Sequence, residues 1–187
     1  MSDIAILKEM LTDTVIVPLV ENEYGKKQVT LTENNAQIHY SVAIDGMPDE
    51  VVVIKTDAIP APKNLFRDSK GECKRADFTI VADTGIRKVI LFIEMKAQAN
   101  TSRKSEIIQQ FNGARCLIHY CQAMGQIFWK EPNFLASYEH RFVKIVTKTT
   151  ESIRKQNSRP SPELHDEPEK MLIIKKQNLK FNQLVGK

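Results

Sequence analysis

Apolar and polar positions alternate with different periods along the chain, and the period predicts the element. Ile4, Leu7 and Leu11 fall at helical spacing behind Ser2 or Asp3 as a cap, which predicts a helix over 3–12. Residues 14–18 fit neither period alone. The stretch 21–35 is polar, with a turn signal at Glu23-Tyr24-Gly25. Residues 37–44 and 51–55 are rich in β-branched side chains and predict strands, with turn residues Asp45-Gly46 and Met47-Pro48-Asp49 between them. Pro60, Pro62 and Gly71 mark 57–73 as a loop. Residues 77–82 and 87–96 predict a hairpin turning at Asp83-Thr84-Gly85-Ile86. Val89 to Ile93 is continuously apolar, which predicts a strand covered on both faces, central in a sheet packed by helices. After a polar break at 99–102, Ile107, Phe111, Ala114, Ile118 and Cys121 step by four, three, four and three, the stripe of a helix over 103–124. Residues 142–147 and 171–175 predict two more strands. Between them, 151–170 is polar and Pro-bearing and predicts a solvated insertion. Strands mixed with helices give an α/β class with a mixed central β-sheet flanked by helices.

Length and composition narrow the class. A chain of 187 residues suits one domain, 1–187, with a core over about 37–150 and the insertion at 151–170. With 42% hydrophobic and 27% charged residues, it has the balance of a folded chain. The net charge of +4 is compatible with a polyanionic partner without demanding one. The apolar runs are too short to span a bilayer, so no membrane is expected. Met1-Ser2-Asp3 lacks a basic leader, and the 3 cysteines include no CxxC pair. A disulfide framework and a structural zinc site are therefore not expected, and a cytoplasmic location is.

The candidate chemistry lies at the end of the apolar strand. Side chains alternate across a strand, so Glu94 and Lys96 share one face and Met95 takes the other. Counting back through the hairpin sets Asp77 opposite Glu94. Two adjacent carboxylates repel each other and lose hydration on burial, and a divalent cation offsets both costs. Mg²⁺ takes carboxylates, carbonyls and water, so Asp77, Glu94 and the Met95 carbonyl form a candidate metal set. Lys96 can hold a water and offset charge on phosphorus. Glu-x-Lys alone is a common solvated ion pair. Its weight here comes from the apolar strand before it and the Asp that starts its hairpin partner.

Lys74-Arg75-Ala76-Asp77-Phe78-Thr79-Ile80-Val81 followed by Phe92-Ile93-Glu94-Met95-Lys96-Ala97 resembles the core of the PD-(D/E)xK, restriction-endonuclease-like nuclease superfamily. Ser41-Val42-Ala43-Ile44-Asp45-Gly46 is also similar to its small members. The resemblance covers about 41–124 and is strongest over 74–97. It implies a restriction-endonuclease-like core and phosphodiester hydrolysis in DNA, favoured over RNA, with Mg²⁺ or Mn²⁺. Asp77 and Glu94 would be ligands and Lys96 the catalytic lysine. Ala76 stands where the motif has Pro. The helix Glu of many members has no clear counterpart among Glu9, Glu21 and Glu33, which predicts a single-metal site.

Other residues join the list with a plainer reading beside each. Gln98 and Gln109 are accessory candidates near the site, as is Gln110, although solvated amides are common at such positions. Lys63, Arg67, Lys70, Lys74 and Arg75, with Arg87, Lys88, Arg103 and Lys104, can meet phosphates. Asp68 and Glu72 interrupt that run. Phe128, Trp129, Phe134 and Tyr138 can stack on bases, although packing after the long helix is the commoner role. Tyr120 reads as a packing residue. Cys116, His119 and Cys121 do not share one helix face, so cysteines in the core and a surface His are expected there. Two rivals to the nuclease reading are a catalytically silent nucleic-acid-binding module and a protein-interaction domain using 151–170. A homodimer or protein partner is compatible with either.

Overall fold

The computed structural model describes residues 1–35, 38–97, 102–147 and 164–186. Helix α1 spans Asp3–Met10, with the Ser2 hydroxyl accepting the Ala5 amide as its cap. The polar stretch after it contains strands. Strand β1 (Val20–Glu21) turns at Asn22 to Gly25 into β2 (Lys27–Asn35). Asn22 makes that turn by accepting the Tyr24 and Lys26 amides, and Gly25 supplies the positive φ. On β2, Val29 and Leu31 are fully buried. Strand β3 (Ile38–Asp45) pairs antiparallel with β2 from Gln28↔Asp45 to Asn35↔Ile38 and buries Val42 and Ile44.

The chain then changes sheet. Strand β4 (Glu50–Lys55) pairs with β5 (Phe78–Asp83), and β5 with β6 (Lys88–Lys96). Helix α2 (Lys104–Phe128) crosses over and returns β7 (Glu139–Val146) parallel to β6. Strand β8 (Leu172–Ile174) adds parallel to β7, giving the order β4-β5-β6-β7-β8. Strand β9 (Asn178–Lys180) closes the first sheet as β1-β2-β3-β9, and α3 (Phe181–Val185) follows. The fold is α/β with two mixed sheets. Strands outside 37–150 join both of them.

Strand β6 is central and buried on both faces, and the two longer helices, α1 and α2, cover only one. There Ile4, Leu7, Ile107, Phe111 and Ile118 pack on Ile90, Phe92 and Phe142. The other face is covered mainly by the first sheet, whose Val29, Leu31, Val42 and Ile44 meet Leu91, Ile93 and Met95, with Phe181 and Leu184 of the short α3 beside them. The expectation of helices on both faces holds on this side only for α3, and a second sheet does most of the covering. A fully apolar strand reports double burial without reporting what does the burying. Phe92 and Phe142 stack at 5.0 Å across the parallel pair, and Phe111 meets Phe142 edge-on at 5.4 Å. Removing such a ring costs about 3–5 kcal/mol.

Helix α2 outruns its predicted end at 124, and its two glycines are contact points. A Cβ at Gly125 would lie 2.1 Å from the Phe134 ring, and one at Gly113 would lie 1.8 Å from the Lys74 carbonyl. Tyr120, expected to pack, is exposed, as is Cys116. The 151–170 stretch lies outside the described residues up to 163. Its remainder, 164–170, is mostly exposed but anchored: His165 and Pro168 are buried, and the His165 carbonyl accepts the Phe142 amide at 2.9 Å. No helix among the described residues is long and apolar enough to cross a membrane.

Candidate metal centre at the end of the central strand

The β5–β6 turn fixes the first two carboxylates. Thr84 and Arg87 close it through the Thr84 amide and the Arg87 carbonyl at 2.9 Å, with Gly85 at φ 78°. The register runs from Asp83↔Lys88 to Phe78↔Ile93, so the next residue, Asp77, stands opposite Glu94. The Met95 amide donates to the Asp77 carboxylate at 2.6 Å, and the Thr56 amide donates to the Asp77 carbonyl at 2.9 Å. Asp77 thereby joins the end of β4 to the end of β6.

Met95 packs against the first sheet, while Glu94, on the opposite face, meets Gln110 of α2. Glu94 is 0% exposed and forms an ion pair with Lys96, itself 18% exposed. The parallel pairing Glu94↔Lys144 adds a second lysine, buried to 7% exposure. Burial pushes Glu94 up to about 7, against the downward pull of Lys96 and Gln110. Burial, then Glu94 and Glu33, hold Asp77 well above the carboxylate range. Burial lowers Lys96, but Glu94, Asp77 and Glu33 outweigh it and raise the ammonium above its ordinary value. Lys144 is lowered by burial and by Lys96, with Glu94 opposing.

Two further acids arrive from elsewhere. The carboxylates of Glu33, on β2, and Asp57, just after β4, lie with that of Asp77 within 4.8 Å of one another. Lys55 reaches Glu33 at 3.3 Å. It is not enough to restore ordinary behaviour: burial and Asp57 raise Glu33, and burial raises Asp57. The Tyr40 hydroxyl donates to the Met95 carbonyl at 3.1 Å, and its pKa is raised by burial and by Asp77, Glu33 and Glu94. One end of the sheet thus carries a cluster of carboxylates flanked by Glu94, Lys96 and Lys144.

The donor set suits a hard divalent cation. It is made of carboxylate and carbonyl oxygens, with no thiolate or imidazole, and every acid in it is held towards protonation. The grouping differs in detail from the sequence expectation. The close acidic triad is Glu33, Asp57 and Asp77, while Glu94 is engaged by Lys96 and Met95 by Tyr40 and Asp77. Of the three glutamates weighed as a third acid, Glu33 stands in the cluster. Glu9 and Glu21 are exposed, on α1 and β1.

The remaining candidates fall in several places. Gln109 accepts from the Lys74 ammonium at 2.7 Å and holds that segment to α2, while Gln110 is the amide that acts on Glu94. Gln98 lies outside the described residues. Arg75 donates to the Lys74 carbonyl, and Arg103 and Lys104 are exposed at the start of α2. Phe134 and Tyr138 are buried, whereas Phe128 is exposed. Sequence reasoning missed Asp57 and Lys144. The polar residue inside Phe142-Val143-Lys144-Ile145-Val146 was the available signal for Lys144. Comparison with protein-family models, curated proteins and solved structures found no match for this chain.

Proposed function

We propose that this protein is a divalent-metal-dependent phosphodiesterase of nucleic acid with a restriction-endonuclease-like core. The observation that carries the reading is the convergence of Glu33, Asp57 and Asp77 within 4.8 Å beside the buried Glu94–Lys96 pair. Asp77, Glu33 and Asp57 would hold Mg²⁺ or Mn²⁺, and the resemblance adds Glu94 and the Met95 carbonyl. Such a cation supplies an acidified water and a polarised phosphate oxygen when bound. The chain's own groups do the rest. Lys96, charged at neutral pH, meets the negative charge that builds on phosphorus. Glu94 fixes the Lys96 ammonium at the strand end. Tyr40 and the Met95 amide hold the Met95 carbonyl and the Asp77 carboxylate in place, so the donors are ordered before substrate arrives.

The test is incubation of the purified chain with single- and double-stranded DNA and RNA in Mg²⁺, Mn²⁺ or EDTA, beside Asp77→Ala and Lys96→Ala. Metal-dependent cleavage lost in both variants is expected. Tight binding without cleavage under either metal would replace the enzyme by a silent binding module, and inertness to every nucleic acid would sink both.

A further inference from the structure

The connection over 58–76 leaves the sheet at Asp57 and returns at Asp77, so both of its ends are residues of the acidic cluster. Its own acids are spent on its backbone. Glu72 accepts the Ser69 and Lys70 amides at 3.1 and 2.7 Å, and Asp68 accepts the Cys73 amide at 3.1 Å. The amides of Glu72 itself, Lys70 and Ser69 hold the Glu72 carboxyl below its ordinary pKa. The returning limb is fixed to α2 by Lys74 and Gln109 and by the close approach of the Lys74 carbonyl to Gly113. Lys63, Arg67 and Lys70 are left exposed, with no ion pair among the described residues. Between them Leu65 is 76% and Phe66 48% exposed.

With both carboxylates of the loop engaged by its own backbone amides, three unpaired cations and the apolar Leu65 and Phe66 are the groups it leaves free to meet a partner. Its complement is an anion that also offers a flat apolar face. Duplex nucleic acid offers phosphates but keeps its base faces stacked, whereas a single strand offers both. Resting on the nucleic-acid reading above, we propose that 58–76 is a single-strand-binding element. Phe66, with Leu65, stacks on an unpaired base, and Lys63, Arg67 and Lys70 hold the flanking phosphates. The strand then leads towards the cluster at Asp57 and Asp77.

Binding is measured on the full chain in EDTA, where no cleavage is needed, by anisotropy of a labelled oligothymidylate of about 20 nucleotides and of its duplex. A 2-aminopurine in the strand reports stacking. The single strand is expected to bind more tightly than the duplex. Phe66→Ala should weaken it by about tenfold and lose the 2-aminopurine quench, and Phe66→Trp should restore both. Changing Lys63, Arg67 and Lys70 to Gln should flatten the log–log salt slope by about 2. Unchanged affinity in both variants would overturn the proposal. So would equal binding of duplex without a 2-aminopurine response, or binding of phosphatidylserine vesicles in place of oligonucleotide. Binding that depends on Phe66 in a chain that never cleaves would sustain this element and sink the phosphodiesterase. Cleavage indifferent to Phe66 and the three cations would do the reverse.

Discussion

The two ends of strands β6 and β7 both gather charge, yet they behave in opposite ways. At the start of the strands, Arg87 donates to the Gly186 carbonyl and pairs with Glu139 at 2.7 Å. Arg141, only 3% exposed, donates to the carbonyls of Val185 and His140 and pairs with the same Glu139. His165 meets the Leu184 carbonyl at 2.7 Å. Both arginines have defined acceptors, and Glu139 is held below its ordinary pKa by Arg87 and Arg141. At the far end the acids outnumber what compensates them, and all four carboxylates are pushed upward. Charge density alone therefore does not mark a reactive site. The satisfied cluster clamps the C-terminal segment, and the frustrated one is where a cation or substrate has something to gain.

The widest separation between the two ends should appear in turnover. Asp77→Ala or Lys96→Ala should lower metal-dependent cleavage by about 10³-fold or more, read as initial rates on a labelled oligonucleotide. Arg141→Met should leave the rate per folded molecule unchanged. A selective loss of cleavage in Arg141→Met would erase the distinction.

Stability should show the reverse order. Arg141→Met removes the donor to two half-buried carbonyls at the clamp and should cost about 2–4 kcal/mol in urea unfolding. Asp77→Asn removes a repelled charge and should cost nothing or stabilise. The metal then sharpens the contrast. Mg²⁺ at about 100 times its Kd should add about 2.7 kcal/mol to the wild-type chain, seen as a higher Tm, and nothing to Asp77→Asn.

The smallest effects should be opposite pH slopes. Glu94 is held near 7 against an ordinary 4.5, so the native state keeps a proton that the unfolded chain sheds between those values. Its contribution is complete below pH 4.5 and is lost as pH rises towards 7. His140, at the clamp, is lowered from 6.5 to about 4 by burial and then by His119, Arg115 and Arg141. Its contribution is present above 6.5 and is lost as pH falls towards 4. In EDTA the two should oppose each other across the shared window and largely cancel. Glu94→Gln should unmask a stability that rises with pH, and His140→Gln one that falls. Denaturant midpoints measured across that range would read both, and identical profiles would sink the assignment.

How much of this was legible followed from how local each pairing is. The Asp77–Glu94 register came from counting through Gly85, because a tight turn leaves few alternatives. The Glu94–Lys96 face came from alternation alone. Glu33 could be named but not placed: β2 shows only Val29 and Leu31 as an apolar rhythm, too little to separate a strand from a polar loop. Asp57 sits on a short turn after β4, where nothing in the local pattern points to Asp77. Lys144 lay on a strand that was recognised. Its partner is reached through a helical crossover, and no turn length fixes such a register. The second sheet was invisible for the same reason. The apolar run of β6 records burial, and a sheet buries as well as a helix does.

The parallel pairing of β6 with β7 also sets a timetable. A ribosome that has released the chain through Lys96 has already made the hairpin carrying Asp77, Glu94 and Lys96, and such a hairpin closes in about 1–10 μs. Those charges are still in water. Lys144 and the covering helix α2 have yet to be synthesised, and the docking of α2 and β7 is a non-local step that comes later. Glu94 in the nascent chain should therefore titrate as an ordinary carboxylate, and its altered protonation begins only when the crossover closes. The site's chemistry is in this sense a certificate of completed folding, issued after residue 146 has taken its place beside the central strand.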